Sequence, residues 1–112
     1  MDFSDTKPIY LQIAETLEEK ILGGTLAPEA RIPSVREYGA DIGVNPNTVM
    51  RVYEKLTSDG IIYNKRGIGY FVSADAREKI LEVRKTEFIE REVPAIKRRL
   101  QLLGLDSSIF NS

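Results

Sequence analysis

Two short helical signals lie almost end to end in the middle of the chain, and they limit the fold more than any other feature. Ser34-Val35-Arg36-Glu37 has the form of a capping box: a serine hydroxyl accepts from the backbone three residues on, and the glutamate reaches back. The helix it opens is cut short after Ile42 by Gly43. Two residues later Asn45-Pro46 starts another helix, with asparagine as N-cap and proline in the first turn. Val49, Val52, Tyr53 and Leu56 give this second helix one apolar face, and Asn47, Thr48, Arg51 and Lys55 fall opposite. Asp59-Gly60 ends it near Ser58. A glycine turn between two short helices lets them meet at a steep angle.

The flanks complete a pattern. Residues 8–22 read as an amphipathic helix, with Pro8 at its first position, Ile9, Ile13, Leu17 and Ile21 at spacing four, and Gly23-Gly24 as its stop. The connection that follows, TLAPEARIP, has little periodicity. After Gly60, Ile61-Ile62-Tyr63 and Tyr70-Phe71-Val72 are β-prone runs, joined by a turn over Asn64-Lys65-Arg66-Gly67-Ile68-Gly69. Helix, capped helix, glycine turn, helix and hairpin form the order of a winged helix-turn-helix. The expected fold class is α+β, mainly helical, with this unit over residues 1–74 and a C-terminal helical element over 75–112.

From about Asp75 the composition is charged and helix-prone. Ile89, Val93, Ile96, Leu100 and Leu103 alternate spacings of four and three, the pattern of a heptad seam. Pro94 lies within it, where it either bends the helix or divides it. Gly104 reads as a C-cap and Asp106 as the cap of one more short turn. The seam is too long to be covered by a core of about 70 residues, so a second copy of the chain is the economical partner.

Composition excludes more than it selects. The chain of 112 residues has no cysteine and no histidine. Thiolate metal sites, disulfides and the commonest general base are therefore absent, and neither a catalytic residue nor a cofactor is expected. No apolar run is long enough for a bilayer, and MDFSDTKPIY has no leader character, which fits a cytoplasmic protein without a membrane partner. Net charge is −1, so any nucleic-acid surface must be local. Residues 31–72 hold six basic and four acidic side chains.

In a helix-turn-helix the second helix presents its first residues to base edges in the major groove. Asn45, Pro46, Asn47 and Thr48 occupy that place. Asparagine amides suit adenine, and threonine offers a hydroxyl and a methyl. Arg51 lies one turn on, within reach of a guanine or a phosphate. Read singly, these are also ordinary solvated helix residues. Arg36 is either a surface arginine or a contact at the groove edge. Lys65 and Arg66 are either free loop charges or wing cations meeting phosphates or a narrow minor groove, with Gly67 allowing the tight turn.

Together, Gly24-Thr25-Leu26-Ala27-Pro28, Arg31-Ile32-Pro33-Ser34-Val35-Arg36-Glu37, Gly43-Val44-Asn45-Pro46-Asn47-Thr48-Val49, Asp59-Gly60-Ile61-Ile62 and Gly67-Ile68-Gly69-Tyr70-Phe71-Val72 resemble the GntR family of bacterial regulators. The short C-terminal part and the Asn45-Pro46-Asn47-Thr48 variant look like its YtrA subfamily. The resemblance implies a repressor, often encoded beside transporter genes, that binds double-stranded operator DNA as a homodimer. It assigns DNA contacts to Arg36, to Asn45 through Thr48 and to the wing tip around Gly67, and dimerisation to the C-terminal helices. Glu29 stands where the family usually has glycine, so that turn is expected to differ. Met50 stands where many relatives outside this subfamily carry a DNA-reading arginine, a role Arg51 is placed to take. The residues after Asp75 are too few to enclose a drug-sized pocket unaided, so any small-molecule effector, its identity unknown, would bind at the dimer interface or at the junction between the two parts. The rival reading is a winged helix that binds protein rather than DNA.

Overall fold

A computed structural model describes residues 7–111. The first six residues, part of the expected 1–74 unit and of the segment read for a leader, lie outside the described residues. The elements in order are α1 (Ile9–Leu22), α2 (Val35–Ile42), α3 (Pro46–Ser58), β1 (Ile62–Lys65), β2 (Gly69–Val72), α4 (Ala76–Glu87), a π-helical turn (Phe88–Glu92), α5 (Val93–Leu102) and a 3-10 turn (Ser107–Phe110). Two compact units result, one ending at Ile80 and one running from Leu81. The first extends past the boundary read from composition because Ala76 and Ile80, at the start of α4, are buried in its core. Arg77 donates to the Leu22 carbonyl, and Lys79 Nζ donates to that of Gly60 at 3.3 Å.

The helix of the first unit with the most complete burial is α3. Val49, Val52, Tyr53 and Leu56 on its inner face are fully buried. They pack with Ile13, Ala14, Leu17 and Ile21 of α1 and with Ile62 and Val72 of the sheet. The Tyr53 hydroxyl donates to the Pro33 carbonyl at 2.7 Å, so this buried phenol leaves no unpaired polar atom. Burial pushes its pKa well up, so the ring stays neutral. Its ring meets Tyr70 edge to face at 5.0 Å and stacks on Tyr38 at 6.3 Å.

Local signals set the helix ends. Ser34 and Glu37 complete the capping box: Glu37 N–H donates to Ser34 Oγ at 3.1 Å and Ser34 N–H to Glu37 Oε1 at 3.0 Å. Asn45 Oδ1 accepts from the Asn47 N–H at 2.8 Å. Pro8 sits at the N-cap of α1, one place before the first-turn position expected of it, with extended ψ. Gly43 adopts a left-handed conformation, and Val44 N–H then bonds back to the Gly39 carbonyl at 2.9 Å.

Gly39 sets how closely α2 approaches the start of α3. A Cβ there would lie 2.7 Å from the Val44 carbonyl oxygen, a backbone atom that cannot swing away. Gly39→Ala gains about 1 kcal/mol of helix propensity, but overpacking costs about 1–3 kcal/mol. We expect lower stability in urea unfolding; a gain would show that the two helices can separate at no cost.

The sheet is larger than the sequence suggests. β1 and β2 pair antiparallel, with Ile62 opposite Val72 and Lys65 opposite Gly69. The turn is therefore only Arg66-Gly67-Ile68, closed by Ile68 N–H to the Lys65 carbonyl at 2.9 Å, rather than the six residues expected. Residues 29–32, read as an irregular connection, run beside β2: Glu29 N–H bonds Val72 O, Val72 N–H bonds Ala30 O and Ile32 N–H bonds Tyr70 O, each at 2.9 Å. At Glu29 the chain takes a conformation that glycine favours. Its backbone holds φ at 67°, a left-handed value costing about 1 kcal/mol for a residue with a Cβ. The side chain is anchored, since the Tyr63 hydroxyl donates to Glu29 Oε2 at 2.7 Å.

In the second unit Pro94 neither breaks the helix into separate pieces nor is carried through a regular α-helix. A straight α-helix would aim the Glu90 carbonyl at a ring that has no N–H. The turn before it widens instead to π geometry, with Val93 N–H bonded to Phe88 O. At the other end Gly104, φ 71°, caps α5, with Leu105 N–H on the Leu100 carbonyl at 2.8 Å. Asp106 caps the 3-10 turn through the Ser108 N–H at 2.8 Å.

Candidate nucleic-acid interface

The start of α3 carries the exposed polar groups expected of a reading helix. Asn45, Pro46 and Asn47 are exposed and Thr48 is half-buried. The cap fixes part of this set: Asn45 Oδ1 is engaged by the Asn47 backbone, and its amide nitrogen is left to offer a partner. Asn47 makes no side-chain hydrogen bond among the described residues, so its whole amide is available. The fully buried face behind them holds this end of α3 rigid.

Arg51 is exposed but directed. Its guanidinium lies over the Tyr10 ring, 4.1 Å from the centroid, so α1 sets its orientation. Lys55 is paired with Asp59 at 2.7 Å. Met50, at 41% exposure, is the apolar member of the outward side of α3.

Arg36 is exposed in the first turn of α2 and makes no hydrogen bond or ion pair among the described residues. The Ser34 backbone N–H, then its hydroxyl, hold the Glu37 carboxyl below its ordinary pKa. A lowered folded value means that the capping box stabilises above the usual carboxylate range and is lost as pH falls through the folded value.

The wing distributes its charges unequally. Lys65 is the last residue of β1 rather than part of the turn, and its Nζ lies 5.4 Å from the Phe71 ring centroid. Arg66 and Gly67 lie in the turn, where Gly67 holds φ at 79°. Ile68, also in the turn, is 54% exposed.

One cation escaped sequence reasoning. Arg31 sits in the segment paired with β2 and forms a bridge to Phe71. It borders a cleft of about 340 Å³, lined by Arg31, Ile32, Ser34, Val35 and Arg36 before and at the start of α2, and by Ile68, Gly69 and Tyr70 of the wing. The alternation of Ala30, Ile32 and their neighbours is too short to announce a strand, so nothing local marked Arg31 as fixed.

In the second unit Ile89, Ile96 and Leu103 are exposed, while Val93 and Leu100 are half-buried. The π turn places Phe88 one wide turn below Val93, so an exposed aromatic residue lies near the expected seam. Leu102, Leu105, Ile109 and Phe110 are exposed as well.

Three helices, a glycine turn between the second and third, and a hairpin flanking the third define a winged helix-turn-helix protein. Residues 9–72 match the family described as bacterial regulatory proteins, gntR family. The chain belongs to that family and is a GntR-type transcriptional regulator, similar along nearly its whole length to YtrA-like members. It is 36% identical over 107 residues to the HTH-type transcriptional repressor YtrA of Bacillus subtilis, covering 96% of this chain and 76% of that protein. A crystal structure of a GntR-family regulator from Bacteroides thetaiotaomicron matches with a TM-score of 0.78 at 47% identity, over 93% of this chain and 90% of that one. The DNA-binding domain of AraR, solved in complex with its operator ORX1, matches with a TM-score of 0.58 at 30% identity, over 65% of this chain and 89% of that one. Among the described residues no helix is long and apolar enough to cross a membrane.

Proposed function

We propose that this chain is a cytoplasmic repressor that binds an inverted-repeat operator in double-stranded DNA as a homodimer. The observation that carries the reading is the start of α3: polar, exposed and backed by four fully buried side chains. A side chain discriminates base edges only when its backbone is held in place, and here the core holds it. In this reading Asn47, Thr48 and the remaining amide of Asn45 face base edges in the major groove, and Pro46 sets the entry of the helix. Arg36 meets the groove edge. Arg66 and the Gly67 backbone meet phosphates or the minor groove, with Lys65 behind them and Arg51 supporting from the side of Tyr10. The first unit is the DNA-binding part, and the C-terminal helices, through Ile89, Val93, Ile96, Leu100 and Leu103, join two copies. Repression is supported by the naming of the Bacillus relative as a repressor. The test is selection of bound duplexes from a random pool by the full chain. Recovery of an inverted repeat is the expected result; a pool that remains random after several rounds would overturn it.

A further inference from the structure

Arg31 has no place in the functional reading so far, yet its backbone is firmly held beside the wing. Backbone bonds hold the residues on both sides of it to β2: Val72 N–H to Ala30 O and Ile32 N–H to Tyr70 O, each 2.9 Å. Its side chain lies across Gly69. A Cβ at that position would stand 3.0 Å from Arg31 Nε and 3.4 Å from a terminal nitrogen, and φ there is 144°. Glycine at 69 therefore leaves room for the arginine. On the other wall of the cleft Arg36 is unpaired among the described residues. No carboxylate lines the cleft. Glu37 outside it attracts Arg31, but one of its oxygens is taken by the Ser34 backbone.

We propose that this cleft between the start of α2 and the wing seats one backbone phosphate of the bound duplex, held by Arg31 and Arg36 together. The inference rests on the DNA-binding reading above. A protein that puts α3 into a major groove and its wing into the adjoining minor groove must let the intervening sugar–phosphate strand pass between the two. The cleft has the wing as one wall and the start of α2, which leads through Gly43 into α3, as the other. Two guanidiniums beside the apolar side chains of Ile32, Val35 and Tyr70 suit an anion with several acceptor oxygens. Arg31 thereby ties the wing to the helix-turn-helix through the DNA itself.

The test uses the full chain and the operator recovered by selection, with each phosphate in turn replaced by an uncharged methylphosphonate. One phosphate in each half-site should weaken wild-type binding about tenfold when neutralised, and the same replacement should weaken R31Q binding only about threefold, since Arg36 remains on that phosphate. R31Q should also lower the slope of log affinity against log salt by about one unit per half-site. Because Arg31 packs on the wing, R31K is the control for folding: it keeps the charge and should keep most of the slope. Wild-type slope and wild-type phosphate sensitivity in R31Q would overturn the proposal while leaving the DNA-binding reading intact. Failure of the wild-type chain to select any sequence would instead remove the reading on which it rests.

Discussion

Replacing Val93 and Leu100 by glutamate should convert the protein to monomers in sedimentation equilibrium and weaken operator binding by at least about a hundredfold. The two residues lie seven apart on the same face of α5 and are only half-buried in the chain by itself. Ile96 between them and Leu103 beyond are exposed. So much apolar surface on a short helical unit calls for a partner, and spacings of four and three suit a second helix. Two carboxylates per copy in a dry seam would each lose hydration without gaining a counter-charge, a penalty of several kcal/mol per ion. The hundredfold figure follows from symmetry: once one half-site is engaged, a dimer presents its second reading helix at high effective concentration, and a monomer forfeits that gain. Helix content should change little, since both positions are only half-buried and glutamate is a good helix former. A double variant that remains dimeric places the interface elsewhere in the chain.

The π turn adds a refinement to that seam. The spacing of Ile89 and Val93 assumes regular α geometry, and the turn between them is wider. Phe88 is drawn round toward the Val93 side next to Ile89, so the face is broader at this end than the heptad pattern indicates. That Pro94 had to be accommodated was readable from its missing N–H. How it is accommodated was not, because a bend, a break and a π turn all relieve the same clash.

The same division between local and distant causes runs through the first unit. Caps were readable because they are short-range chemistry: Ser34 with Glu37, Asn45 with Asn47 and Gly43 with Gly39 all close within a few residues. The buried face of α3 was readable because four apolar side chains keep a helical period. The pairing of residues 29–32 with β2 was not, since its partners lie some forty positions away and the segment has no alternation of its own. Arg31 was missed with it. At Glu29 the sequence did not show how a residue with a Cβ is held at a left-handed φ of 67°: Tyr63, distant in sequence, holds its carboxylate. Arg51 stood on the outward side of α3 as expected, but its cation–π contact with Tyr10 ties it to α1, a contact across sequence that periodicity cannot report.

Truncating Asn47, Thr48 and Arg36 together to alanine should abolish sequence discrimination while leaving the fold intact. A specific complex of this kind binds about 10³–10⁷ times tighter than the same protein on random DNA, and the triple variant should bring that ratio close to one. Singly, Asn47→Ala and Thr48→Ala should each cost about 1–3 kcal/mol on the selected operator and far less on unrelated duplexes. The choice of residues matters. Asn45 is left out because its Oδ1 caps α3, and its loss would cost about 1 kcal/mol of stability and confuse the reading. Arg51 is left out because its contact with Tyr10 gives it a structural share. Asn47 and Arg36 are exposed and serve no cap or core contact, and only the half-buried Thr48 touches the packing, so thermal unfolding should shift little. Arg36→Ala should also weaken binding to random DNA, because a cation at the groove edge contributes to both modes. If the triple variant still selects the wild-type operator with undiminished preference, α3 is not the reading element. The polar start of that helix would then be solvated surface, and a winged helix that binds protein would become the better account of the chain.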